Sequence, residues 1–178
     1  MNYPGFGGSS GPSQLSQVGP TALGTYDVLK QTAAGRPVFL QAASFGTAPA
    51  LHVAARRPVA GLVLHKPPPL KQLILGSYGW WNLWLLAGPV AARIPDDLDS
   101  LANASRAKSP AVFLLHGSDQ IIAPRHQRRV AAAYAGQKRV IDMPGARHDD
   151  PLTREASQQM AEALQWLWDA PPKPRRDF

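Results

Sequence analysis

Apolar residues gather in short runs along this chain, and segments with helical spacing of apolar positions fill much of the sequence between them. Three runs are continuously apolar, at residues 37–40, 58–64 and 110–115, and residues 138–143 form a fourth segment that we predict to be a strand. Continuous rather than alternating runs are typical of parallel strands that helices cover on both faces. The pattern therefore predicts an α/β fold with a mostly parallel sheet.

Four main helices are predicted around these strands. The first runs over residues 20–34, with proline in its first turn and glycine directly after it, and the next two cover residues 48–56 and 124–136. The last is predicted to start at Pro151 with Asp150 as its N-cap. Its core face is predicted to carry apolar residues at helical spacing: Leu152, Ala156, Met160, Leu164, and Leu167 or Trp168.

Three segments depart from this alternation. Residues 1–12 form a glycine-rich loop, which lacks the lysine and the preceding strand of a phosphate-binding loop. Residues 66–108 form an irregular excursion from the sheet, with a short helix at residues 70–75. Residues 171–178 are rich in proline and arginine and are predicted to be disordered. We therefore expect one domain over residues 1–170.

The excursion contains an aromatic cluster made of Tyr78, Trp80, Trp81 and Trp84. These side chains are candidates for a lid that lines an apolar substrate pocket. The alternative is that they pack the excursion onto the core, and the two interpretations are compatible.

Composition excludes several classes of function. The 178 residues are 44% hydrophobic and 17% charged, as in globular proteins, and the formal net charge of +7 comes from scattered basic residues. Because these residues form no aromatic-interleaved basic stripe, no nucleic-acid partner is predicted. There is no cysteine, and the five histidines lack zinc-type spacing, so neither a metal nor an organic cofactor is expected. Without a signal-peptide pattern or a membrane-length apolar run, the sequence predicts a cytoplasmic protein without stable membrane insertion.

Ser44 lies where a strand is predicted to turn sharply into a helix. Ala42 and Gly46 stand two positions before and after it, where small residues let the strand and helix approach each other. This is the context of a nucleophile elbow, whose usual pattern has glycine at both flanking positions. A serine that only caps the following helix is the alternative interpretation of this stretch.

Asp119 and His148 also follow predicted strands. Ligands bind at the carboxyl ends of parallel strands. Serine, aspartate and histidine, which occur in this order along the chain, are the residue types that nucleophilic catalysis by a serine requires. Histidine can take the serine proton, and a carboxylate can orient the histidine. Taken singly, Asp119 could cap a turn and His148 could be an ordinary loop histidine. Together with Ser44 they predict a catalytic triad.

Four segments of the chain resemble motifs of the α/β-hydrolase superfamily, specifically its single-domain serine hydrolases of esterase, acyl-hydrolase and peptidase type. The segments are the loop at residues 2–9, the elbow at residues 42–46, residues 116–124 around the acid, and residues 145–149 around the base. The resemblance implies a three-layer sandwich with a mostly parallel sheet and a short lid insertion. It also implies that Ser44 is the nucleophile, Asp119 the acid, His148 the base, and the Phe45 N–H one oxyanion donor.

The chain departs from the family pattern at its start. Residues 2–9 resemble the loop after the family's fourth strand. The family's earlier strands, and the loop that supplies its second oxyanion donor, therefore have no counterpart in this sequence. We therefore expect a truncated α/β-hydrolase fold, a fragment or mis-started chain. The strand at residues 37–42 would be an exposed edge, which favours self-association.

The leading hypothesis is a serine hydrolase that acts on a small-molecule ester, thioester or amide through an acyl-enzyme on Ser44, with an apolar acyl group favoured by the aromatic cluster. The alternative is a non-catalytic hydrolase remnant that acts, if at all, by protein–protein association.

Overall fold

The computed structural model of the protein describes the backbone of residues 2–78 and 83–170 and the side chains of residues 2–75 and 88–170. Helices and strands alternate through much of these ranges. In chain order they are α1 (Val18–Thr32), β1 (Phe39–Ala43), α2 (Thr47–Ala54), β2 (Gly61–His65), α3 (Leu70–Tyr78), α4 (Leu83–Ala92), α5 (Ser100–Ala104), β3 (Ala111–His116), α6 (Pro124–Ala133), β4 (Lys138–Met143) and α7 (Arg154–Asp169). Short 3-10 turns lie at Leu15–Gln17, Ser44–Gly46 and Asp96–Leu98.

The four strands form one parallel sheet in the order β1-β2-β3-β4. Ala43 pairs with His65, and His116 pairs with Met143, so the strands end close to one level. We call this side of the sheet the carboxyl edge: it is where β1, β2, β3 and β4 end. Each predicted strand is confirmed, and every functional candidate that follows a strand lies on this side.

Helices cover both faces of the sheet. On one face, residues of α1, α2, α5 and α6 pack with alternate strand residues such as Leu64 and Phe113. On the other face, α7 packs through Ala156, Met160, Ala163 and Leu167 against the remaining strand residues. The arrangement is the three-layer α/β sandwich that the sequence predicts.

The start of the last helix was predicted wrongly. Helix α7 begins at Arg154, and the Thr153 hydroxyl caps it by accepting a hydrogen bond from the Ala156 N–H (3.1 Å). Asp150 is not the cap, because its carboxylate accepts a hydrogen bond from the Arg147 N–H (2.8 Å) within its own loop.

Part of the predicted core face of this helix was also wrong. Leu152 and Leu164 are 40% and 45% exposed, and of the two alternatives at the end of the face Leu167 is buried whereas Trp168 is 67% exposed. The later start of α7 leaves Leu152 in the preceding loop, and Ala163 takes the buried position beside Leu167. Although exposed, Trp168 stacks on Phe39 of β1, with ring centroids 5.3 Å apart.

Several predicted features lie outside what the structure describes. The side chains of the aromatic cluster, Tyr78, Trp80, Trp81 and Trp84, are outside the described side chains, and the tail at residues 171–178 is outside the described backbone. The lid and its bounds at residues 66–108 stay predictions. So does self-association through β1, which within the described part of the chain pairs with β2 alone. Within that part no helix is both long enough and apolar enough to span a membrane.

Candidate active site

Ser44 follows the last residue of β1 and starts the 3-10 turn that leads into α2. Its backbone has a φ of +50°, in the left-handed region that L-residues rarely adopt. The turn is fixed by a hydrogen bond from the Thr47 hydroxyl to the Ser44 carbonyl oxygen (2.7 Å). Beside it, a Cβ added to Gly46 would lie 4.0 Å from the Ala42 side chain, which is an ordinary van der Waals contact. This is the strained strand–turn–helix geometry of a nucleophile elbow.

Asp119 lies in the loop after β3, and its side chain is fully buried. One carboxylate oxygen, Oδ1, accepts hydrogen bonds from the backbone N–H groups of Ile121 and Ile122, both 2.8 Å long. The other oxygen, Oδ2, accepts hydrogen bonds from Gln127 Nε2 (3.0 Å) and from His148 Nδ1 (2.8 Å). These donors satisfy the buried carboxylate in one fixed orientation.

His148 is brought to Asp119 by the loop after β4. Its ring is only 13% exposed, and its Nδ1–H donates to Asp119 Oδ2. This hydrogen bond leaves Nε2 as the nitrogen that can accept a proton. The structure therefore pairs the predicted acid with the predicted base, 29 residues apart in the chain.

Two further hydrogen bonds attach the loop that contains His148 to the ends of β3 and β2. The buried His116, at the end of β3, donates through Nδ1 to the Arg147 carbonyl oxygen (2.5 Å). Lys66, directly after β2, donates through Nζ to the carbonyl oxygen of His148 itself (2.5 Å). Since β2 is the strand next to β1, this second bond brings the loop within one strand of Ser44.

Lys66 and Gln127 are site residues that the sequence reasoning missed. Lys66 has a φ of +52°, so it adopts the left-handed backbone conformation just after β2, as Ser44 does just after β1. A positive residue two positions after a predicted strand was the available signal for Lys66. Gln127 gave no such signal, because a glutamine in the first turns of an amphipathic helix is usually a surface residue.

The charge near this edge also acts on His65, the last residue of β2. Burial lowers the pKa of His65, and the nearby Lys66 and His116 lower it further. Its buried Nε2 has no hydrogen-bond partner among the described residues. Both effects favour the neutral form of His65 beside the site.

The structure joins only two of the three predicted triad residues directly. Among the described residues the Ser44 hydroxyl makes no hydrogen bond to His148, although both lie at the carboxyl edge. The catalytic roles of Ser44, Asp119 and His148, and that of the Phe45 N–H, stay predictions.

An apolar groove of about 270 Å³ lies beside the elbow. Phe45, the residue after Ser44, forms one wall, and the N-terminal loop with the start of α1 forms the rest through Tyr3, Phe6, Leu15 and Val18. Phe6, Leu15 and Phe45 are large apolar residues that remain 58%, 48% and 36% exposed. The groove thus collects exposed apolar surface next to the candidate nucleophile.

The glycine-rich loop is shaped to form this wall. The Asn2 side chain donates to the Gly7 carbonyl oxygen (2.7 Å), and Gly5 and Gly7 have φ values of +79° and +54°. A Cβ on Gly5 would lie 2.8 Å from the Ser13 backbone nitrogen, so the turn requires glycine. The loop is a folded element over the groove.

A larger cavity of about 450 Å³ lies between the end of β4 and the start of α7. Its walls include Asp142, Asp150 and Arg154 but none of Ser44, Asp119 and His148. We place the candidate site at the part of the carboxyl edge that holds the acid–base pair and the elbow, rather than in this cavity at the end of β4. No group of three or more potential metal-ligating side chains occurs in the part of the chain that the structure describes.

Solved structures share this arrangement of sheet and helices. An acetyl xylan esterase from Thermoanaerobacterium sp. is 17% identical, with a TM-score of 0.66 over 95% of this chain and 65% of its own. Est1E from Butyrivibrio proteoclasticus, solved with ferulic acid bound, is 14% identical, with a TM-score of 0.69 over 94% of this chain and 74% of its own. A monoacylglycerol lipase from Paleococcus ferrophilus is 20% identical, with a TM-score of 0.57 over 90% of this chain and 77% of its own. The chain has the α/β-hydrolase fold.

These three neighbours are esterases and a lipase, and a likeness at 14–20% identity establishes the shared fold. Two curated relatives, both uncharacterized proteins from strains of Mycobacterium tuberculosis, are 28% identical over 154 residues. The match covers 85% of this chain and 52% of each relative, so the chain spans about half the length of the relatives. No family model matches the sequence.

Proposed function

We propose that this α/β hydrolase is a serine hydrolase that cleaves an ester, thioester or amide bond through an acyl-enzyme on Ser44. The observation that carries the proposal is the 2.8 Å hydrogen bond from His148 Nδ1 to the buried Asp119 carboxylate, at the edge where Ser44 occupies a strained turn. A hydrogen-bonded carboxylate–imidazole pair is what a serine nucleophile needs as its base.

In the proposed reaction, Ser44 Oγ attacks the substrate carbonyl carbon while His148 Nε2 takes the hydroxyl proton. The carbonyl π electrons move onto the oxygen, and the Phe45 N–H donates to that oxyanion. His148 then gives its proton to the leaving oxygen, sulfur or nitrogen as its bond to the carbonyl carbon breaks. A water molecule repeats the sequence on the acyl-enzyme and releases the acid. Asp119 keeps the imidazole in the required tautomer and stabilises the imidazolium.

The groove beside Phe45 supports a small apolar acyl group as the preferred substrate. Ligand pockets for drug-sized molecules measure roughly 300–1,000 Å³, and a groove of about 270 Å³ falls just below that range. A short acyl chain or a single ring suits this space better than a long lipid chain. Our sequence-based prediction assigned an apolar pocket to the aromatic cluster, whereas this support comes from the N-terminal loop.

The proposal predicts one covalent adduct when the protein is treated with a fluorophosphonate and weighed intact by mass spectrometry. The adduct should be absent from Ser44→Ala and retained in Ser118→Ala, which removes an exposed serine at the same edge of the sheet. Hydrolysis of p-nitrophenyl butyrate should fall by about 10,000-fold or more in His148→Ala. A folded protein that takes up no label would contradict the proposal and favour the non-catalytic alternative.

A further inference from the structure

Gln127 is a completely buried amide on α6, and every hydrogen bond it makes is directed at the acid loop and the end of β3. Its Oε1 accepts from the His116 N–H (2.9 Å). Its Nε2 donates to the Ile122 carbonyl oxygen (2.7 Å) and lies 3.4 Å from the His116 carbonyl oxygen. A buried amide is costly unless it is bonded, and Gln127 is bonded at both ends.

The same Nε2 also donates to Asp119 Oδ2 (3.0 Å), the oxygen that receives His148 Nδ1–H. Because Ile121 and Ile122 hold Oδ1, the Gln127 bond is the contact besides His148 that holds Oδ2. Rotation of the carboxylate about its Cβ–Cγ bond would break the Gln127 bond and the two backbone bonds together. Gln127 therefore helps the Ile121 and Ile122 N–H groups to fix the direction of Oδ2, and it is the donor of the three that bonds Oδ2 itself.

We infer that Gln127 is a positioning residue that holds Asp119 Oδ2 in line with His148 Nδ1; its effect on turnover rests on the proposed function. Gln127 acts through Asp119 and does not touch the reacting atoms. Its contribution is to keep the Asp119 carboxylate oriented, so that His148 keeps the tautomer with a free Nε2. Loss of the donor leaves one oxygen of a buried carboxylate with His148 as its only described partner.

The test uses Gln127→Met, which keeps the length of the side chain and removes its polar atoms. Two readouts are needed: kcat and KM for p-nitrophenyl butyrate, and the downfield proton NMR signal of His148 Nδ1–H. We expect kcat to fall about 10- to 100-fold, by analogy with the loss when outer hydrogen-bond partners of metal-ligating histidines are removed, with KM changed less than twofold. We expect the Nδ1–H signal to broaden or disappear, because a loosened carboxylate leaves this proton to exchange with water.

A second variant, Gln127→Leu, removes the same polar atoms with a shorter apolar side chain. It should reproduce both losses. The matched control is Asn103→Leu, which removes another buried amide with hydrogen bonds on both atoms, to the Asp97 carbonyl oxygen and the Arg56 guanidinium, away from Asp119. This control should lose stability without losing kcat or the His148 signal.

Retention of both kcat and the His148 Nδ1–H signal in folded Gln127→Met, with a stability loss like that of Asn103→Leu, would overturn the inference. The role of Gln127 would then be limited to joining β3 to α6. If the wild type shows no Ser44-dependent turnover but Gln127→Met still loses the signal, the proposed function fails while the positioning role is supported. The NMR readout thus separates the two claims.

Discussion

Ser44 stores backbone strain at the candidate nucleophile. A residue other than glycine in the left-handed region costs about 1 kcal/mol or more, and Ser44 has a φ of +50°. The strain is retained because strand pairing with β2 continues to Ala43, and because the Thr47 hydroxyl holds the Ser44 carbonyl oxygen. Surrounding contacts therefore impose a conformation that the serine itself does not favour.

Ser44→Gly should consequently be more stable than Ser44→Ala, although both lack the nucleophile. Glycine adopts positive φ without the Cβ clash, so we expect a difference of about 1 kcal/mol in the free energy of unfolding. Urea denaturation of the two variants measures it. Ala34→Gly is the matched control, because Ala34 is exposed, has a φ of +48° and lies far from the site in sequence. Equal stabilities for the two Ser44 variants would show that the turn stores no strain.

At the scale of elements, the sequence was sufficient for the four strands and most of the helices. Continuous apolar runs predicted the parallel strands, and turn residues placed Ser44, Asp119 and His148 after three of them. The start of α7 was missed because Asp150 and Thr153 are both good caps, and sequence cannot tell which one the fold uses locally. Capping depends on loop conformation, which a local pattern does not specify.

The supporting residues of the site were harder to predict. Gln127 and Lys66 act through contacts between separate elements, and they lie 8 and 82 residues from Asp119 and His148 respectively. Their partners are a side chain and a carbonyl oxygen that only the folded loops bring close. Residue type and spacing therefore identified the candidate acid and base, whereas the groups that orient them required the three-dimensional arrangement.

The folded N-terminal loop leads to a prediction about acyl preference. Leu15→Ala removes apolar surface from the groove and should reduce the preference for p-nitrophenyl butyrate over the acetate, measured as a ratio of kcat/KM values. About 0.8 kcal/mol for each methylene no longer buried corresponds to roughly a fourfold change. The rate on acetate itself should change little, because acetate extends least into the groove.

Leu29→Ala is the matched control for this experiment. Leu29 is 48% exposed, like Leu15, but lies near the other end of α1 and does not line the groove. It should leave the butyrate-to-acetate ratio unchanged. Equal effects of the two substitutions, or none from Leu15→Ala, would mean that the acyl group lies elsewhere.

At the scale of the whole molecule, the layered fold buries histidines as well as apolar side chains. His52 on α2 is 1% exposed and His126 on α6 is 8% exposed. Burial lowers the pKa of both, and neighbouring arginines lower it further, with Asp97 at 3.6 Å partly opposing the shift at His52. Burial lowers the pKa of His65 as well. The fold therefore favours the neutral form of three of its five histidines.

These shifts predict that the protein loses stability in mild acid. Unfolded histidines have a pKa of about 6.5, so below that pH the unfolded chain binds protons that the folded chain does not take up until the pH is lower. The free energy of unfolding should then fall as the pH drops from 7.5 to 5.5, by up to about 1.4 kcal/mol per pH unit for each such histidine. Urea denaturation at several pH values in this range measures the slope.

His52→Gln should reduce that slope, whatever its effect on stability at pH 7.5, because one proton-binding difference is removed. Asp27→Asn is a suitable control: the hydrogen bond from Arg57 lowers the pKa of Asp27, so its contribution is lost only below about pH 4. This variant should keep the wild-type slope between pH 5.5 and 7.5. If His52→Gln also kept it, acid sensitivity in this range would have to come from another group, and burial of His52 in its neutral form would not be part of the explanation.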